Sequence, residues 1–287
     1  MSTREPILLQ YPYVPAEDVW MKIVGEYPAT ARRIYDFSDP LTRAGIGHFE
    51  QPSPYGLPAN WAIVYGIGYC QNYLLRAYKY RRDFLTITEE MRECELAAPK
   101  IGTQLENLIR YHEQQRRAIL AHGEIEEFYI CLKLLLDRIA TMFIFYFEIP
   151  PENPKKPPFG SAHNHLVGRM KAKKSKTPSP ILQDMKTVLL PKMEVLSKRI
   201  FTFRNLQVEH VPSPEMGLVT AVLWEELTDK TRPAALLVSN ETGNIETTDD
   251  PTVLLGLVEP YVEEALDFME KHRNVSILLT RRSAPFR

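Results

Sequence analysis

The chain has 287 residues, 44% of them hydrophobic and 25% charged, with a formal net charge of −1. This is ordinary globular composition, long enough for one large domain or two modest ones with a sizeable core. The near-neutral balance excludes a global positive field that would draw in nucleic acid, so any RNA-binding surface has to be a local patch or arise by oligomerisation.

Three cysteines, Cys70, Cys94 and Cys131, lie far apart in helical patterns and show no CxxC spacing. That argues against a zinc site or a disulfide framework and for free thiols in a reducing cytoplasm. The N-terminus, Met1-Ser-Thr-Arg-Glu-Pro6, lacks a charged region followed by an apolar one, so no signal peptide is expected.

Residues 1–57 read as an extended, proline-rich lead-in, one helix and a loop. The helix opens at Pro15-Ala-Glu-Asp18, with acids in its first turn, and is expected to end before Asp39-Pro40. Gly45, Pro52, Pro54 and Gly56 mark the loop. Residues 58–215 read as a helical bundle. A helix is expected from about 58 to 82, with Gly66 and Gly68 serving close helix packing, since no strand precedes them as a dinucleotide site would require.

The next helix is expected to begin at Thr88-Glu89 and reach His122, with Pro99 kinking or splitting it. A further helix should start at Gly123 and contain Phe128–Phe147, the most apolar stretch of the chain. Lys133, Asp137 and Arg138 interrupt that stretch, which makes it a buried core helix and not a membrane span.

Residues 149–180 form a basic, proline-rich connection holding Arg169, Lys171, Lys173, Lys174 and Lys176. It can contact RNA phosphates or serve as a solvated linker. Helix resumes from Ile181 to about Phe203, interrupted by Pro191.

Residues 216–272 change period. Gly217–Trp224 and Ala234–Ser239 are β-branched apolar runs separated by a turn at Thr228-Asp-Lys230, and a third short strand follows Gly243. Asp249-Asp250-Pro251 caps a last helix to about Lys271, and residues 273–287 form a polar tail. The fold class expected is mainly α, with a small C-terminal antiparallel β element and a final helix.

The chemistry concentrates at Arg204-Asn205-Leu-Gln-Val-Glu-His210. Metal-independent RNA cleavage needs a base for the 2′-hydroxyl, an acid for the leaving 5′-oxygen and positive charge on the developing phosphorane. Histidine titrates near neutrality and can move the proton. Arginine stays charged and grips phosphate in two places. Asn205 can orient either group. The competing account has Arg204 capping a helix C-terminus and His210 facing solvent. Five residues between Arg204 and His210 set them about 120° apart on an ideal helix, so a single uninterrupted helix would not bring them together.

Other groupings are weaker. Arg117…His122 has similar spacing without the asparagine, and Tyr111-His112-Glu113 with Arg116 and Arg117 fits a face of ion pairs. His163-Asn-His165 could ligate a metal from an extended segment, but no third ligand stands nearby, so no metal and no cofactor is expected.

A helical bundle with an Arg-Asn…His motif late in the chain resembles the HEPN superfamily. Phe128-Tyr-Ile-Cys-Leu-Lys-Leu-Leu-Leu-Asp137-Arg-Ile-Ala140 also looks like that family's core helix. The resemblance covers about residues 58–215. It implies an up-and-down helical bundle, a homodimer that pairs two motifs, and metal-independent endoribonuclease activity with Arg204, Asn205 and His210 as catalytic residues. It also implies RNA as substrate, and an antitoxin or phage-defence partner in a cytoplasmic setting. Its alternative is a non-catalytic scaffold or regulatory protein of the same fold. Pro212 and Pro214, close after the motif, depart from a pattern in which a long helix carries it onward.

Overall fold

Periodic apolar runs separated by proline and glycine fold into eight described helices and three short strands in a computed structural model. The structure describes residues 17–43, 59–97, 102–147, 162–171, 180–204, 221–227, 230–239, 245–249 and 251–272; residues 38–43, 59–65, 95, 145 and 201–204 and the strands are described through their backbone alone. The described chain is mainly helical, as a helical bundle requires.

The first helical segment is two helices, α1 (Glu17–Val24) and α2 (Ala29–Arg43), where the sequence predicts one. Gly25 separates them at φ +82°, donating its amide to the Met21 carbonyl at 2.9 Å. That left-handed helix ending suits glycine, the one residue without a Cβ penalty there. Helix α2 also continues through Asp39-Pro40, where an end was expected.

Helix α3 (Ala59–Leu96) is continuous across Thr88, the residue expected to start a new helix. The Thr88 hydroxyl instead donates back to the Phe84 and Leu85 carbonyls, each at 3.0 Å, so it is satisfied inside the helix. The true start of α4 (Gln104–Tyr146) is a capping box. The Thr103 amide donates to the Glu106 carboxylate at 2.7 Å, and the Glu106 amide donates to the Thr103 hydroxyl at 3.3 Å. The Thr103 amide first, and then the Thr103 hydroxyl donating at 2.8 Å, hold the Glu106 carboxyl below its usual range. Gly123 does not break the helix, and at 43 residues α4 spans about 65 Å.

Helix α5 (Ala162–Lys171) lies inside the connection expected to be irregular. Its start is held from outside, because the His163 amide donates to the buried Asp137 carboxylate at 3.1 Å. A carboxylate at a helix N-terminus meets both unsatisfied amides and the positive end of the dipole. Helices α6 (Pro180–Val188) and α7 (Leu190–Arg204) follow, with Pro191 in the first turn of α7, where a missing N–H costs nothing.

Strands β1 (Ala221–Leu227), β2 (Lys230–Ser239) and β3 (Ile245–Asp249) form an antiparallel sheet in the order β1-β2-β3. The β1–β2 register shifts between Leu223 and Trp224, and Trp224 then pairs with Pro233. Pro233 has no N–H to give the ladder, and a central strand accommodates it at such an irregularity. Helix α8 (Pro251–Lys271) closes the described chain and carries Pro260 inside it.

The chain divides into two compact units. One comprises residues 1–75, 135–186 and 263–287, and its core is aromatic at one point: Phe143 stacks on Phe147 at 6.2 Å and meets Phe268 edge-on at 6.0 Å. In it α2 is tied to α8, with Arg33 bonded to Asp267 and to both Glu270 oxygens and the Thr30 hydroxyl to Glu263 at 2.8 Å. Gly66 lets α3 and α4 approach closely, since a Cβ there would stand 2.8 Å from Met142 Cγ. The other unit comprises residues 76–134 and 187–262. Phe84, Ile125, Phe128, Tyr129, Leu132, Met193 and Tyr261 are buried in it, and Tyr78 donates to Glu259 at 2.5 Å.

Candidate functional site

Arg204 is the last residue of α7. Asn205 and His210, the other two residues of the expected catalytic group, lie outside the described residues, as do Lys173, Lys174 and Lys176. Arg169 and Lys171 stand in the last turn of α5. Lys171 is exposed and Arg169 half-buried, with its Nε buried and without a hydrogen-bond partner among the described residues. Cations at a helix C-terminus also complement the dipole, which gives this pair a structural reason to be there.

Exposed Lys192, Lys198 and Arg199 precede Arg204 on α7. Lys192 and Arg199 share a face at seven-residue spacing, which was the available signal.

The competing groups find other uses. His163 and His165 sit on helix α5 and not on an extended segment, and His163 is fully buried. No cluster of three or more His, Cys, Asp or Glu side chains among the described residues could hold a metal ion. Arg117 lies 3.7 Å from Glu90 and 3.9 Å from Glu113, while His122 is 2.9 Å from Glu126, so each member of that Arg…His pair faces carboxylates of its own. Cys70 and Cys131 are buried, and burial pushes both thiols up to about 12, far from a reactive thiolate at neutral pH. Cys94 is half-buried.

A dense titratable group joins α3 to α4. Lys79 bonds Asp83 at 2.7 Å and stands 3.9 Å from Glu124, Arg82 bonds Asp83 at 2.6 Å, and Arg76 lies 3.6 Å from Glu127. Burial alone would raise the Asp83 carboxyl, but hydrogen bonds from Lys79 and Arg82 outweigh it and hold the group below its ordinary value. Burial raises Glu124 despite the nearby Lys79.

The sign for Asp83 follows from its depressed pKa: its stabilisation is present above the unfolded carboxyl's pKa and is lost as pH falls through the folded one. Asp83→Asn should therefore cost under about 1 kcal/mol at neutral pH, the pair being partly exposed and screened. Thermal unfolding of both proteins from neutral pH down into acid checks this, since the gap should narrow as the pH falls; a gap independent of pH would contradict it.

No family model matches the chain, and no curated protein and no solved structure matches it either. No helix among the described residues is long and apolar enough to cross a membrane.

Proposed function

We propose that the protein is a metal-independent endoribonuclease of the HEPN type, working as a homodimer. The observation that carries the reading is the Arg204-Asn205…His210 motif, which begins at the last residue of α7 in a mainly helical chain. On this reading His210 moves protons, taking one from the 2′-hydroxyl or giving one to the leaving 5′-oxygen. Arg204 stabilises the phosphorane charge and Asn205 orients. The 2′-oxygen bonds to phosphorus as the bond to the 5′-oxygen breaks, leaving a 2′,3′-cyclic phosphate and a 5′-hydroxyl.

On this reading Arg169, Lys171, Lys173, Lys174 and Lys176 hold the substrate backbone. RNA affinity should then fall steeply as salt rises. A cytoplasmic role beside an antitoxin or in phage defence accompanies the reading, on the family resemblance alone.

Cleavage should persist in EDTA, because the roles are filled by arginine, asparagine and histidine. Incubating purified protein with a single-stranded RNA, with and without chelator, tests this. Loss of cleavage in EDTA, restored by a divalent ion, would overturn it and return His163 and His165 to consideration.

A second reading, a non-catalytic interaction protein with the same fold, is favoured by the row of exposed leucines and isoleucines on α4: Leu105, Leu108, Ile109, Ile119 and Leu120.

A further inference from the structure

From Glu89 to Leu120 the end of α3 and the start of α4 form an arm without a core. None of the described side chains in that stretch is buried, whereas Thr88 and Ala121, which bound it, are 0% and 4% exposed. The two helices meet there through polar contacts: Gln114 donates to the Met91 carbonyl at 3.1 Å, and Arg117 lies 3.7 Å from Glu90. Helices in proteins draw most of their stability from an apolar face packed inward. Over residues 104–120, about 25 Å of helix, α4 turns its leucines and isoleucines outward instead.

The outward face has a regular pattern. Leu105, Ile109, His112, Arg116 and Ile119 follow at spacings of four, three, four and three, the seam of a coiled coil, with Leu108 and Leu120 at its edges. At 100° per residue all seven lie within about 60° of one line. The aliphatic members are between 48% and 70% exposed, and His112 and Arg116 are exposed among them. No acidic residue falls inside that arc; Glu106 and Glu113 stand at its margin.

Arg116 on the centre line selects the occupant. Its side chain is 73% exposed, and Glu113, 3.9 Å away, is beyond hydrogen-bond reach. Covering a guanidinium is costly unless a carboxylate answers it. A second copy paired in register would set Arg116 on Arg116. A membrane surface takes cations at the margins of an apolar face, where they reach the headgroups, and not along its middle. RNA phosphates gain nothing from a row of aliphatic side chains. An amphipathic helix with a carboxylate among its core residues meets both demands, since arginine donates to a carboxylate in two places.

We infer that residues 105–120 of α4 are a docking seam for an amphipathic helix of a different protein, one that carries aspartate or glutamate at the core position facing Arg116. Burial of the aliphatic rows drives the association, and the Arg116–carboxylate pair sets register and partner choice. The seam is separate from the Arg204 motif and holds whether or not that motif cuts RNA.

The test uses the full chain and two labelled helical peptides of three heptads, with leucine at the core positions except for two central ones. Those two are glutamate in one peptide and lysine in the other. Fluorescence anisotropy should show the wild type binding the glutamate peptide at least about tenfold more tightly than the lysine peptide. Arg116→Glu should reverse that preference. The double change Ile109→Ser and Ile119→Ser should weaken binding of the glutamate peptide at least about tenfold, with the thermal melt unchanged.

Equal binding of the two peptides would overturn the proposal, as would no binding of the glutamate peptide up to about 1 mM. So would tighter binding to vesicles of anionic phospholipid or to single-stranded RNA, if Ile109→Ser with Ile119→Ser abolished it. Self-association that the same double change abolished would assign the seam to a second copy. A double variant that fails to fold would show the seam to be covered within one chain.

Discussion

Phe143→Ala should destabilise the protein by about 3–5 kcal/mol, the range for emptying an aromatic from a packed core. Phe143 is fully buried, with Phe147 stacked on one side and Phe268 edge-on at another. Truncation removes both ring contacts and leaves a void that α4 and α8 would have to collapse to fill. Phe268 further meets His272 at 4.5 Å, and His272 lies 2.8 Å from Asp184, so the loss should spread to the α6–α8 contact. Urea unfolding followed by circular dichroism measures it. A loss below about 1 kcal/mol would mean that the cluster is not a tightly packed core.

The second large effect falls on activity. His210→Ala should lower RNA cleavage by on the order of 10²–10⁴, the contribution of a positioned proton-transfer group. Arg204→Ala should cost a comparable factor, and Arg204→Lys should recover only part, because lysine keeps the charge but loses the two-point grip on phosphate. His210 lies in a polar, proline-flanked segment of the sequence and not on an apolar face, so melting temperatures should stay near wild type. Steady-state cleavage with matched melts checks both. A His210→Ala protein that loses stability along with activity would point to a structural histidine.

The helical character of this chain was legible because its apolar residues recur at helical spacing, Phe128–Phe147 above all. Its breaks were less legible. Thr88 and Gly123 look like helix starts, yet the Thr88 hydroxyl bonds back within its own turn and Gly123 is exposed with open space around it. The real cap, Thr103-x-x-Glu106, was written in the sequence in the expected form and was overlooked beside Pro99. Gly25 could be placed as a stop only by its left-handed backbone. Helix α5 could not be read from its own composition, because part of what starts it is Asp137, distant in sequence, accepting the His163 amide. The exposed leucines and isoleucines of α4 were concealed for a related reason: periodicity marks an apolar face without saying which way it points. As for the candidate site, the structure places Arg204, Arg169 and Lys171 on helix ends, while Asn205, His210, Lys173, Lys174 and Lys176 fall outside the described residues.

The central claim is that His210 moves a proton in RNA cleavage without a metal, and one measurement meets it directly. Wild type and His210→Ala, both shown to be folded, are incubated with end-labelled single-stranded RNA in EDTA, and rates and product ends are compared. The account predicts fragments ending in 2′,3′-cyclic phosphate from the wild type and a rate at least about a hundredfold lower from the variant. Equal rates from the two proteins, or no cleavage by the wild type under any condition, would contradict it.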